Sequence, residues 1–264
     1  MNFKRHFKRW LYGKCPGFKG CLPYFGERLY FPPNSVVFDH ACAQGIYEHD
    51  NLRIMQSALR PHAWCFDIGA NIGLMSAPML DAEPTLQVVS VEASPGTASY
   101  LARTIAASPR RDRWRLVAKA VGAAEGETAF FASDESQGAY DGVKNTGRGR
   151  APREIKISLT TLDTLWREFN QPDICLVKID VEGGEADVLR GGFSCLRATR
   201  PYVLLEWNAL NLAAYGCPLG ALLELATSLD YEVLGAHGLA PVSSSANLAL
   251  QMKMKENFVL VPRT

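Results

Sequence analysis

Asp67, Glu92, Asp180 and Glu206 each close a short apolar run and stand beside a glycine or a turn. Buried carboxylates are costly when unpaired, so their recurrence at corresponding places points to a shared site rather than to packing. Asp180 and Glu182 alternate along an extended chain and can face the same side. A carboxylate there can orient a hydroxyl and take its proton as a group is transferred to the oxygen. Glu206 offers a second candidate base from the following strand. The structural alternatives are that Asp180 caps the next helix and that Glu182 and Glu185 pair with Lys178 or Arg190. His237, in a Gly-Ala-His-Gly turn, is expected at the surface. No pair of histidines at helical spacing, or similar ligand pair, is present, so no metal is expected.

A second constellation precedes these residues. Trp64–Gly73 reads as a strand, an acidic residue, a glycine turn and a helix start, an arrangement that aims backbone N–H groups at a nucleotide-like ligand. The spacing Gly69-x-x-x-Gly73 is not the G-x-G-x-x-G of a pyrophosphate loop. The bulk of Asn71 argues against a pyrophosphate, and Asn71 is expected to cap the helix instead. Asp67 would repel a diphosphate and favour a cationic ligand; S-adenosylmethionine, with its sulfonium and ammonium groups, is one. The run Gln87–Val91 ends at Glu92, 25 residues after Asp67. An acid at that place can accept hydrogen bonds from both ribose hydroxyls, in NAD as well as in S-adenosylmethionine.

The elements that must position these groups alternate. Strands are expected at 64–67, 87–91, 114–121, 174–179, 202–206, 231–235 and 257–262, with extra strands at 128–132 and 154–158. Helices are expected at 71–80, 95–107, 160–169, 185–190 and 218–229, with Pro78 ending or kinking the first. This is an α/β pattern, a doubly wound parallel sheet with helices on both faces. The last two strands show no helix between them and read as a hairpin, which makes the final strand antiparallel. Residues 1–60 form an accessory region ahead of a domain at 61–264. Within it, Val36–Phe38 is a candidate strand and a helical segment runs to Leu59, before Pro61. Residues 133–153, with Gly138, Gly142, Gly147, Gly149, Lys144, Arg148, Arg150 and Arg153, resemble a mobile substrate lid or else a disordered insertion.

Bulk properties narrow the function class. The 264 residues are 47% apolar, enough for a core, and the net charge of +1 gives no case for nucleic acid. No apolar run is long enough to span a membrane, and the N-terminus lacks a secretory pattern. The seven cysteines are scattered, which fits reduced, buried thiols in a cytoplasmic protein. Lys4, Arg5, Lys8, Arg9, Lys14 and Lys19 meet no acid, and Phe3, Phe7, Trp10 and Leu11 recur at roughly helical spacing. The expectation is a helix packed on the domain with its lysines in solvent; the alternative is weak contact with an anionic membrane or an acidic carrier.

Gly45-Ile-Tyr-Glu48, Asp67-Ile-Gly-Ala-Asn-Ile-Gly73, Val91-Glu-Ala-Ser-Pro95, Thr161-Leu-Asp163 and Val177-Lys-Ile-Asp-Val-Glu-Gly-Gly-Glu185 together resemble the motifs of the FkbM-type methyltransferases. The resemblance runs in the family order over about residues 45–210. It implies a Rossmann-like seven-stranded sheet with an antiparallel final strand, preceded by an N-terminal extension. It implies S-adenosylmethionine as cofactor, with Asp67, Gly69, Asn71 and Gly73 around the methionine part and Glu92 on the ribose. Ala70 and Ala93 fall in the same turns and belong to that expected site. Tyr47 and Glu48 would close over the cofactor, Ala120-Val121-Gly122 would meet the adenine, and Asp180 would lie near the transferred methyl. The family usually methylates hydroxyl oxygens, often on sugars or secondary metabolites. Gly184 replaces a frequent alanine, and the loop 138–153 departs from the pattern. The competing readings are a binding module without turnover and an NAD-dependent oxidoreductase, which the missing Tyr-x-x-x-Lys relay disfavours.

Overall fold

The computed structural model describes residues 3–15, 19–133, 138, 140–148 and 152–264. Gly149 and Arg150 of the expected lid lie outside the described residues. The chain begins with α1 (Phe3–Lys14), a hairpin of β1 (Cys21–Tyr24) and β2 (Glu27–Tyr30), α2 (Val36–Gln44) and α3 (His49–Ala58). It continues through β3 (Trp64–Ile68), α4 (Ser76–Ala82), β4 (Gln87–Val91), α5 (Pro95–Ala107) and β5 (Trp114–Val117). Then come β6 (Ala120–Val121), β7 (Gly126–Ala132), β8 (Arg153–Thr160), α6 (Leu162–Glu168), β9 (Ile174–Ile179), α7 (Glu185–Gly191) and α8 (Phe193–Thr199). The last elements are β10 (Tyr202–Glu206), α9 (Ala209–Tyr215), α10 (Ala221–Leu229), β11 (Tyr231–Gly235), α11 (Ser245–Met252) and β12 (Asn257–Pro262).

Seven strands form one sheet in the order β11-β12-β10-β9-β3-β4-β5. β12 is antiparallel to both neighbours and the other pairs are parallel. The chain starts at β3, winds outward through β4 and β5, then returns to build β9 and β10 on the other side. The strand order therefore reverses between β3 and β9, the place where open α/β sheets bind ligands. Side chains alternate between two apolar cores. Phe66, Ile68, Val203, Leu205, Phe258 and Leu260 pack under α6, α7, α8 and α10. Cys65, Leu204 and Val259 pack on the opposite face with Leu29, Phe38, Leu52, Met55 and Leu101. Residues of the N-terminal region thus bury one face of the same sheet. This is the Rossmann-like, doubly wound architecture expected.

Several elements differ from expectation. Val36–Phe38 is the first turn of α2, not a strand: the Ser35 hydroxyl accepts from the Phe38 N–H at 3.2 Å, and Val37, Phe38, Ala41 and Cys42 are buried at helical spacing. The cap and the burial override the β preference of two valines. Residues 114–121 split, since β5 joins the main sheet while β6 pairs with β8 in a separate three-stranded sheet. A helix, α11, does lie between β11 and β12, although the two strands pair antiparallel as read. α1 presents its aromatic face to solvent, while Arg5 and Lys8 are half-buried. All seven cysteines are free. Among the described residues no helix is long and apolar enough to cross a membrane.

The junction of β3 and β9 is tight. Gly69 has φ +78°, and a Cβ on it would overlap the carbonyl oxygen of Asp180. Gly69→Ala is therefore expected to cost about 3 kcal/mol or more, from strain and overlap together. Urea denaturation checks this, and a loss below about 1 kcal/mol would contradict the packing.

Candidate active site

A cleft of about 280 Å³ opens above the C-terminal ends of β3, β4, β9 and β10. The turn after β3 forms its floor. The Gly69 and Ala70 N–H groups donate to the Val91 carbonyl at 2.9 and 3.0 Å, which locks this turn to the end of β4. Asn71 stands in the left-handed region (φ +50°), and its N–H donates to the Glu92 carboxylate at 2.8 Å. The other Glu92 oxygen accepts from the Ser94 N–H at 2.8 Å. Each oxygen keeps a further lone pair for a ligand hydroxyl. Glu92 is 6% exposed, and burial pushes its carboxyl up to about 7 against those two hydrogen bonds.

Lys178, in β9, holds the other side of the turn. Its ammonium donates to the Gly69 carbonyl at 3.0 Å and lies 3.2 Å from Asp180 and 3.6 Å from Asp67. Burial opposes its charge, but Asp180, then Asp67 and Glu48, outweigh burial and hold the ammonium above its ordinary range. Asp67 is fully buried and accepts from the Ser76 hydroxyl at 2.5 Å. Ser76 meets Ser90 at 2.7 Å, and Ser90 accepts from the Trp114 indole at 2.8 Å.

Facing the turn, carboxylate oxygens of Asp180, Glu182 and Glu206 lie within 4.8 Å of one another. Glu182 has φ +56°, a strained conformation. It accepts from Arg148 at 2.8 Å and from the Asn211 amide at 2.8 Å; the same amide reaches Glu206 at 3.3 Å. Burial, then Asp180, pushes Glu182 up to about 8. Burial, Asp180 and Glu182 raise Glu206 further above the carboxylate range. The three oxygens are close enough for a metal ion, which spacing along the chain did not suggest. Lys178 and Arg148 already sit against Asp180 and Glu182 and supply compensating charge.

The rest of the wall comes from outside the sheet. Tyr47 and Glu48 line the cleft, and Glu48 is itself left-handed (φ +45°) and accepts from Asn51 at 3.0 Å. The described part of loop 133–153 lies over the opening and is pinned on both sides. The Asn71 amide donates to the Gly138 carbonyl at 3.4 Å, and the Lys144 N–H donates to the Tyr215 hydroxyl at 3.2 Å. Arg148 stacks 4.9 Å from the Tyr140 ring centroid.

Of the residues predicted for the site, Tyr47, Glu48, Gly69, Ala70, Asn71, Glu92, Ala93, Val121, Asp180, Glu182 and Glu206 all line the cleft. Asp67 and Gly73 do not line it. Asp67 points beneath the turn, and Gly73 packs where a Cβ would come 2.9 Å from Trp114. Asn71 is not the helix cap, because α4 starts at Ser76; its side-chain oxygen accepts from the Ile72 N–H instead. Asp180 does not cap α7, since Glu185 accepts from the Val181 and Gly183 N–H groups. Arg190 pairs with Asp187 rather than with Glu182 or Glu185. His237 is exposed and outside the lining. Lys178 was missed as a site residue although it falls in the most specific motif, two residues before Asp180.

These raised carboxyls set a pH dependence. Glu92, Glu182 and Glu185 titrate near 7, 8 and 7 in the folded chain, against 4.5 for the free group. The folded state therefore binds more protons than the unfolded one across that window. Its stability is greatest on the acid side and falls as pH rises through those values. Urea titration of ligand-free protein between about pH 5 and pH 8 should show a loss of at least about 2 kcal/mol, flattened by Glu182→Gln. Stability that rises over this range would contradict the assignment.

The methyltransferase FkbM domain matches residues 67–232. The 2-O-methyltransferase NoeI of Sinorhizobium fredii (strain NBRC 101917 / NGR234) is 27% identical over 184 residues, which cover 65% of this chain and 74% of that protein. The crystal structure of a methyltransferase FkbM from Methylobacillus flagellatus KT shares the fold, with a TM-score of 0.51 and 13% identity over 81% of this chain. The chain spans 47% of that protein's length. S-adenosylmethionine is the cofactor, and the residues present fit it. Glu92 offers paired acceptors for a ribose, and Asn71 occupies the place where a pyrophosphate would need open backbone. Six acidic side chains (Glu48, Glu92, Asp141, Asp180, Glu182 and Glu206) outnumber three cationic ones (Lys119, Arg148 and Lys178) in the lining, which suits a sulfonium and an ammonium. A diphosphate such as that of NAD would be repelled. The chain belongs to the FkbM family of S-adenosylmethionine-dependent methyltransferases.

Proposed function

We propose that this methyltransferase acts on oxygen, at a hydroxyl of a sugar, glycan or secondary metabolite, with Asp180 taking the proton. The observation that carries the reading is the carboxylate cluster facing the cofactor turn. Asp180 lines the cleft while Lys178 fixes its carboxylate from behind at 3.2 Å. S-adenosylmethionine supplies a methyl group activated by a sulfonium. A neutral hydroxyl is a poor nucleophile, so the chain's task is to hold that hydroxyl in line and remove its proton. Glu182 and Glu206, raised by burial, hold a proton more readily than free carboxyls do and can each hydrogen-bond an acceptor oxygen. Asp180, paired with an ammonium, is the one placed to accept. The likeness to a 2-O-methyltransferase supports an oxygen acceptor. Tyr47, Tyr140 and Tyr215 give the opening the aromatic and hydroxyl groups that suit a polyol.

The experiment is methyl transfer from S-adenosylmethionine to a panel of sugars, oligosaccharides and hydroxylated metabolites, followed by mass spectrometry of both products. Asp180→Asn should lower kcat by about a hundredfold or more, with a smaller loss of cofactor affinity. Methyl transfer to nitrogen or carbon only, or an unchanged kcat in Asp180→Asn, would overturn the proposal.

A further inference from the structure

α1 packs on the body through half-buried Arg5, Lys8, Leu11 and Tyr12 but leaves three large aromatic rings at the surface. Phe3, Phe7 and Trp10 are 80%, 49% and 53% exposed, and no residue of the helix is buried. The three rings form one stripe at i, i+4 and i+7, with centroids 6.4 Å apart for Phe3–Phe7 and 6.0 Å for Phe7–Trp10. The half-buried positions include Arg5 and Lys8. A helix in water normally turns its aromatic stripe inward and its charges outward. Here the stripe faces out and is flanked by cations.

Charge selects the occupant. Lys4, Arg5, Lys8, Arg9 and Lys14 lie in this one helix, and no acidic residue precedes Glu27. A second copy laid against this face would bring two such cationic helices together, at a cost in repulsion. A bilayer rich in anionic lipid attracts the cations, and the aromatic rings suit its headgroup layer. Behind the helix, a cleft of about 470 Å³ is lined by His6, Arg9, Trp10, Lys14, Lys19 and Arg103, where an anionic headgroup can enter. Among the described residues, Asp39 pairs with Arg9 there, at 2.6 Å. α1 packs on α2, and α2 carries Val37 and His40 into the lining of the active-site cleft.

We propose that α1 docks the protein on anionic membrane surfaces, with Phe3, Phe7 and Trp10 in the interface and the flanking lysines and arginines on lipid phosphates. The test is sedimentation of the full chain with vesicles of phosphatidylcholine alone and of equal parts phosphatidylcholine and phosphatidylglycerol. Binding is expected to the anionic vesicles only and to weaken as salt is raised. The triple variant Phe3→Ser, Phe7→Ser, Trp10→Ser should bind at least about tenfold more weakly, as should Lys4→Glu, Lys14→Glu. Both variants change exposed side chains, and retained S-adenosylhomocysteine binding shows that they are folded. No binding to either vesicle, or binding that the triple variant leaves unchanged, would overturn the proposal. So would a solution dimer, or a complex with an acidic protein, that the triple variant dissolves while vesicles are ignored.

Discussion

A buried ammonium holds this architecture together. Lys178 reaches from β9 to the turn after β3 and meets Asp67, Asp180 and the Gly69 carbonyl at the point where the strand order reverses. Lone charges are not tolerated in such a place, and stripping one partner from a buried pair costs about 3–5 kcal/mol. The ammonium therefore requires both acids, and together they hold the turn after β3 against the end of β9. The turn is fastened on its other side to Val91 and Glu92. Beneath it, Asp67, Ser76, Ser90 and Trp114 form one chain of hydrogen bonds through the core. The acid at the end of β3 thus belongs to the support of the site, while the acids after β4 and β9 line the cleft.

The site is prepared for positive charge. Glu48, Asn71 and Glu182 all occupy left-handed backbone conformations, and such strain concentrates where geometry serves a ligand. The carboxyls around the cleft are raised because burial and mutual repulsion penalise ionising them together. A cationic ligand relieves that penalty, so cofactor binding and the charge state of the acceptor side are coupled through a few ångströms of protein. Lys178 and Arg148 keep this balance from becoming prohibitive, one from the sheet and the other from the loop.

Much of this was legible in the sequence, for identifiable reasons. The central strands are short apolar runs between turn residues, and β4, β9, β10, β11 and β12 fall where the pattern puts them. Glu92 and Asp180 were found because an acid at a strand's C-terminal end has few structural uses. The alternation that linked Asp180 to Glu182 extends back to Lys178, whose role was therefore within reach. Asp67 misled because strand parity places it on the side of Cys65, under the turn. Arg148 was read only as part of the lid, and Asn211 and Tyr215 were beyond reading, since only the tertiary fold brings them to Glu182 and the loop. Local preference failed at Val36–Phe38, where a serine cap and four buried positions outweigh two β-branched residues. For α1, spacing shows that aromatic and basic residues segregate but not which face meets the body.

The claim on which the account rests is that the turn at Gly69–Asn71 and the Glu92 carboxylate form a nucleoside site that seeks a cation and refuses a diphosphate. Calorimetric titration with S-adenosylmethionine, S-adenosylhomocysteine and NAD, on the native chain and on Glu92→Gln, tests it most directly. Both adenosyl ligands should bind and NAD should not, with at least about a tenfold loss in the variant, as for one ribose hydrogen-bond pair removed. Binding of NAD, or adenosyl affinity unchanged by Glu92→Gln, would contradict it.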